Sequence, residues 1–227
     1  MIHHFTCSEV GGHLQSEDAF AVRPHPRDAG CLLCVLADGQ GGRAGGGIAA
    51  RVACEKCIET ASQCPVEQLL LPWAWTTFLR TVDQVVADIS EAGFTTLVAF
   101  CVTDIRVCGA SNGDSAAVVV SPNQSPTILT ERQHKNPPVG SSSAVFVPFA
   151  ATLARPWKVL AMSDGVWKYV GLDQVIRSAS TLEGEALVDD LRERARIRPG
   201  KGFQDDFTVV VLQSGEDERL RPGEPGP

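Results

Sequence analysis

Two apolar runs that each stop on Asp-Gly constrain this chain more than any other feature. Residues 31–39 read CLLCVLADG and residues 158–165 read KVLAMSDG. The first is apolar without a break until its Asp, the texture of a strand buried in the interior. One Asp-Gly after such a strand is an ordinary turn, since both residues favour turns. The repetition is less ordinary. QSEDAF puts Glu17 and Asp18 at the start of a further strand, NGDSAAVVV puts Asp114 at another, and GFQDDFTVVVL puts Asp205 and Asp206 before a last one. If these strand ends meet, their carboxylates crowd a small volume and repel, so some must take up protons or share a cation. Hard divalent ions such as Mg²⁺ and Mn²⁺ take oxygen ligands of this kind. The glycines after Asp38 and Asp164 are expected to turn the backbone sharply, so that a carbonyl faces the ion.

The remaining chain reads as mixed strand and helix. DAFAVR and CLLCVLA are early strands, and RAGGGIAARVACEKCIETAS carries small and apolar residues at helical spacing. A second helical stretch, VEQLLLPWAWTTFLRTVDQVVADISEA, is kinked or interrupted at Pro72. Beyond Gly93, the runs TTLVAFCVT, IRVCGAS, AAVVVS, SAVFVPFAATL and WKVLAMSD read as an antiparallel meander. Helical pattern returns in LDQVIRSAS and EGEALVDDLRERARI before a final strand, FTVVVLQ. Strands grouped around two helical pairs predict an α+β layered fold, with helices covering both outer faces of a pair of sheets. Residues 1–213 read as one domain. Residues 214–227, charged and rich in Pro and Gly, read as a disordered tail.

Charge and composition remove several classes of function. A net charge of −7 argues against a nucleic-acid partner. No apolar stretch is long enough to span a bilayer, so no membrane partner is expected. The N-terminus lacks the basic and apolar regions of a secretory signal, so the expected compartment is cytoplasmic. Eight cysteines then read as reduced thiols. Cys31/Cys34 and Cys54/Cys57 have the spacing of a zinc site. The first pair lies within a strand, however, where residues three apart point to opposite faces, and this argues against zinc.

Taken in order, the motifs resemble those of the metal-dependent Ser/Thr protein phosphatases of the type 2C (PPM) family. Glu17-Asp18 is similar to the family's acidic pair, ADGQGG to Asp-Gly-x-Gly-Gly, and GFTTLV to Gly-Thr-Thr-Leu with Phe94 inserted. NGDSAA is similar to the Gly-Asp-Ser element, LTERQH to Leu-Thr-x-x-His with one extra residue, MSDGVW to Ser-Asp-Gly-x-Trp, and DDFTVVV to the last acidic strand. The resemblance covers roughly residues 5 to 213, and only the ordered set is specific.

The resemblance implies a four-layer α-β-β-α sandwich with two antiparallel sheets flanked by helix pairs. It also implies two Mn²⁺ or Mg²⁺ ions. Asp38 would bridge them, the Gly39 carbonyl would bind one, and Asp164 and Asp205 would complete the other. Glu17, Asp18 and Asp114 would stand behind these ligands. Asp206 stands where the family has Asn or Asp. The implied activity is hydrolysis of phosphoserine and phosphothreonine in a phosphoprotein, the product of a Ser/Thr kinase pathway. A water bridging the two ions would attack, with no role for any cysteine.

Three positions depart from the pattern. His13 stands where the family has the Arg that grips the substrate phosphate, which predicts weaker phosphate binding unless Arg43 or another base substitutes. Lys168 stands where an Asp often helps to hold a third metal, so that site is expected to be damaged, with Lys168 repelling an ion or pairing with Asp114. Gln40 stands where some relatives carry a His. The stretch from Asp114 to Asp164 is short, about fifty residues, and ERQHKNPPVGSSSAV within it reads as a loop; relatives carry a flap in this region, and a trimmed one implies an open site. The departures leave a pseudophosphatase, a docking module with weak or no catalysis, as the alternative. A phosphatase for small phosphoesters or for an anti-sigma-antagonist type of regulator is a further reading within the same chemistry.

Overall fold

The strand that carries the first Asp-Gly is β3 (Asp28–Asp38), and the burial of its residues explains its composition. Cys31, Leu33, Val35 and Ala37 pack outward against helices, while Leu32, Cys34 and Leu36 pack inward against a second sheet. Both faces are covered, so no polar residue is tolerated until the strand reaches its end. Cys31 and Cys34 accordingly lie on opposite faces. The computed structural model describes residues 1–12, 14–41, 44–122, 124–197 and 202–215.

The first sheet has the order β2-β3-β4-β5-β8, formed by β2 (Asp18–His25), β3, β4 (Leu97–Val102), β5 (Arg106–Asn112) and β8 (Val147–Thr152). The second has the order β1-β10-β9-β6-β7, from β1 (Ile2–Glu9), β10 (Phe207–Ser214), β9 (Lys158–Met162), β6 (Ala116–Val120) and β7 (Thr127–Ile128). All pairings are antiparallel. Helices α1 (Gly46–Gln63) and α3 (Pro72–Ala87) lie on the first sheet, with the short α2 (Val66–Leu69) between them. Helices α4 (Asp164–Val170), α5 (Leu172–Thr181) and α6 (Gly184–Ala195) cover the second. The result is the expected four-layer α-β-β-α sandwich.

Pro72 divides the second helical stretch by starting α3, where its missing N–H is not needed. Trp75 is fully buried below that junction and donates its indole N–H to the Leu69 carbonyl at 2.7 Å.

The meander expectation is corrected. β4 and β5 form a hairpin, but the chain then leaves the first sheet, builds β6 and β7 in the second, and returns for β8. The crossing is made at Gly113, with φ at +116°, where a side chain would strike Thr96. β1 was not expected at all. It is an edge strand with half-exposed residues, so its apolar signal is weak. β10 extends to Ser214, and residues 216–227 lie outside the described residues.

Candidate active site

One end of the sandwich collects the acidic strand ends into a cleft of about 510 Å³. Glu17, Asp38, Gly39, Asp114, Asp164 and Asp205 all line it, together with Asp206, Gln40, Lys135 and Lys168. Asp18, directly opposite Asp38 in the β2–β3 ladder, is half-buried and does not line the cleft. His13 and Arg43 lie outside the described residues.

The backbone of Asp38 is clamped by the two residues that precede β4. Its N–H donates to Thr96 Oγ1 at 3.0 Å, and its carbonyl accepts the Thr95 hydroxyl at 2.8 Å and the Thr96 N–H at 2.9 Å. Thr96 Oγ1 also pairs with Ser115 Oγ at 2.7 Å, linking the Thr-Thr and Gly-Asp-Ser segments. Trp167 Nε1 donates to the Asp114 carbonyl at 2.9 Å, which ties α4 to the same turn. These bonds hold Asp38 and Asp164, from opposite sheets, on one cleft.

The glycines act by absence of bulk. Neither Gly39 nor Gly165 has a positive φ, which corrects the expectation of a sharp turn that only glycine could make. A Cβ on Gly39 would lie 2.4 Å from the Gly46 carbonyl carbon and 2.7 Å from the Glu17 carbonyl oxygen. A Cβ on Gly165 would lie 2.0 Å from the Asp206 carbonyl oxygen. Close approach of backbone to backbone is what both positions require.

Asp206 has a role that the sequence did not reveal. Its carboxylate accepts the Gly11 N–H at 2.7 Å and the Glu17 N–H at 2.6 Å, so it fastens the segment that carries Glu17 and Asp18. The doubled acid before β10 was the available signal. Another missed residue, Asp83 of α3, is buried and accepts the N–H groups of Gly140 at 2.7 Å and Ala144 at 2.9 Å. It anchors the loop between β7 and β8, which borders the cleft through Lys135, Asn136 and Pro138.

Crowding disturbs the acids as charge repulsion requires. Burial, followed by the charges of Asp18, Asp164 and Asp114, pushes the Asp38 carboxyl up to about 9. Burial also pushes Asp18 up to about 7, against the pull of the Thr208 and Ser163 hydroxyls. Those hydroxyls stop short of bonding, and neither Asp18 carboxylate oxygen has a hydrogen-bond partner. Asp205 is raised by burial and by Asp164.

Lys168 supplies part of the missing positive charge. Its Nζ bonds Asp164 Oδ2 and lies 3.6 Å from Asp114 Oδ2. Burial works against the ammonium, but the bond to Asp164 and the two carboxylate charges outweigh it and raise its pKa. Lys135 Nζ contacts the same Asp114 oxygen at 2.5 Å.

Among the described residues, no three His, Cys, Asp or Glu side chains stand in finished metal-ligand geometry. The donor set nevertheless fits hard divalent cations in kind. It is all oxygen and crowded with like charge, and behind it both carboxylate oxygens of Asp18 lack any partner.

A two-sheet sandwich with an acidic cleft across one end is the class of protein that fold and site define together. A family model described as protein phosphatase 2C matches residues 8–196. The chain belongs to the protein phosphatase 2C family, the metal-dependent Ser/Thr protein phosphatases. No curated protein matches it. Among solved structures, it is similar to the Ser/Thr phosphatase Stp1 from Staphylococcus aureus, with 18% identity and a TM-score of 0.77 over 95% of this chain and 96% of that one. The catalytic domain of the Ser/Thr protein phosphatase PstP in complex with two manganese ions aligns with 20% identity and a TM-score of 0.75, over 93% of this chain and 97% of that one. RsbX in complex with magnesium aligns with 15% identity and a TM-score of 0.72, over 93% and 94% of the two chains.

Among the described residues, no helix is long and apolar enough to cross a membrane.

Proposed function

We propose that the cleft hydrolyses phosphoserine and phosphothreonine in a phosphoprotein by direct attack of water, with two Mn²⁺ or Mg²⁺ ions held by Asp38, the Gly39 carbonyl, Asp164 and Asp205. The observation that carries this reading is the facing pair Asp18 and Asp38, two carboxyls set opposite each other in the β2–β3 ladder, with both Asp18 oxygens lacking a hydrogen-bond partner. When bound, such a pair of ions lowers the pKa of water and offsets charge on phosphoryl oxygens. The chain's own residues supply the rest. Thr95 and Thr96 fix the backbone of Asp38, which sets the point from which its carboxylate enters the cleft. Asp206 sets Glu17 at the mouth and Asp18 behind it. Lys168 keeps Asp164 and Asp114 apart as charges while holding them together as neighbours.

No cysteine lines the cleft among the described residues, which suits water as the nucleophile. The cleft lies at one end of the sandwich, bordered by the loop of residues 129–146, as suits a phosphorylated segment of another protein, supplied by a Ser/Thr kinase.

The test is hydrolysis of a phosphothreonine peptide and of p-nitrophenyl phosphate with Mn²⁺, with Mg²⁺ and with EDTA. Turnover that requires metal is expected. Absence of turnover with bound metal would overturn the reading and leave a docking role.

A further inference from the structure

Beyond the metal ions proposed for the cleft, a phosphate dianion at its rim would gain from a side-chain cation. Lys135 and Lys168 are the only basic residues among the described ones that line the cleft. They are not equivalent. Lys168 is wedged between two carboxylates, Asp164 and Asp114, and its charge is spent on them. Lys135 has one carboxylate partner, Asp114, and its side chain is 61% exposed. An ammonium has three donors, so most of the hydrogen-bonding capacity of Lys135 remains for a ligand.

The backbone on both sides of Lys135 is fixed. The His134 carbonyl accepts the Gly113 N–H at 2.8 Å, and the Pro137 carbonyl accepts Asn112 Nδ2 at 3.1 Å. Gln133 Nε2 donates to the Ser115 carbonyl at 2.7 Å. Gly113 and Ser115 of the β5–β6 connection, together with buried Asn112, therefore hold the turn that presents Lys135. A lysine that served only solubility would not need such a mount.

We propose that Lys135 is a specificity-determining residue that binds the phosphate of the substrate, as a side-chain cation at the rim of the cleft. Its ammonium reaches the phosphate from the β7–β8 loop, and Asp114 holds it in place between turnovers. This rests on the phosphatase reading of the same cleft. It goes beyond that reading in assigning phosphate recognition to a loop residue that belongs to none of the motifs. A charge-assisted contact at a partly exposed site predicts an effect on the order of tenfold in phosphate affinity.

The experiment compares wild type, Lys135→Met and Lys135→Arg in two measurements. The first is binding of inorganic phosphate by calorimetry in the presence of Mg²⁺. The second is steady-state hydrolysis of a phosphothreonine peptide. Lys135→Met is expected to weaken phosphate binding and raise KM, each about tenfold, with kcat changed less than threefold. Lys135→Arg is expected to restore both, and thermal melting should show all three proteins folded. Phosphate affinity and KM within twofold of wild type in Lys135→Met would overturn the proposal. So would an equal loss in Lys135→Arg, since the loop geometry and not the charge would then matter. If wild type showed no turnover, the phosphatase reading would fail by itself, and the phosphate-binding comparison would still decide whether Lys135 is an anion site.

Discussion

Asp18 and Asp38 stand directly opposite each other across the β2–β3 ladder, and neither carboxylate oxygen of Asp18 has a hydrogen-bond partner. Like charges in register are unfavourable in a sheet, and this pair is set at the end of a strand whose preceding seven residues are all buried. A fold that keeps such a pair has a cation in its working state or a proton in its idle one.

Asp38→Asn separates those two states. With an Asp38 carboxyl at about 9 in the fold and about 4 in the unfolded chain, the folded state binds the extra proton between those values. Wild-type stability in EDTA therefore falls as pH rises through that window. Asn does not titrate, so the variant's advantage should be small near pH 4 and grow to a few kcal/mol, in order of magnitude, toward pH 8. Thermal melts of both proteins in EDTA across this range check the sign. The same variant should lose metal-dependent hydrolysis. A variant less stable than wild type at pH 8 would mean that the carboxylate already has a favourable partner.

Metal binding should release protons. At pH 7 the Asp38 and Asp18 carboxyls, at about 9 and about 7, hold protons that a cation must displace. Calorimetry of Mn²⁺ binding in buffers of different ionisation heat should show net proton release at pH 7, and the apparent affinity should rise from pH 6 to pH 8. Binding with no buffer dependence would place the cation away from this pair.

Much of the fold and most of the acidic site could be read from strand composition, because burial on both faces leaves unbroken apolar runs and their ends stand out. The change of sheet after β5 could not. It depends on the positive φ of Gly113 and on contacts with Thr96, which lies far away in sequence. β1 escaped notice because an edge strand alternates weakly. Asp206, Asp83 and Lys135 escaped for a common reason. Each acts through partners distant in sequence, 61 residues away for Asp83 and 189 for Asp206, a relation that local spacing does not encode.

Gly39→Ala and Gly165→Ala test whether space alone makes these glycines necessary. Each new methyl would collide with backbone, of Gly46 and Glu17 in the first case and of Asp206 in the second. Backbone cannot rotate away as a side chain can, so each variant should lose roughly 2–4 kcal/mol or fail to accumulate as folded protein. Urea unfolding measures it. Wild-type stability in Gly165→Ala would mean that α4 and the segment before β10 can separate freely.

Asp206→Ala tests the fastening of the N-terminal acidic segment. The substitution removes two acceptors that the Gly11 and Glu17 N–H groups use. With both donors part-buried, the cost should be about 2–4 kcal/mol, or a melting temperature lower by roughly 5–10 °C for a domain of this size. Asp206→Asn keeps one oxygen acceptor and should lose about half as much. Because Glu17 and Asp18 follow directly from the fastened backbone, Mn²⁺ affinity should fall in the same order: wild type, then Asn, then Ala. Melting and calorimetry together separate the outcomes. A lowered melting temperature with unchanged metal affinity would make Asp206 a support of the fold alone. Loss of both in parallel would show that the segment carrying Glu17 and Asp18 is held in place for the metal site.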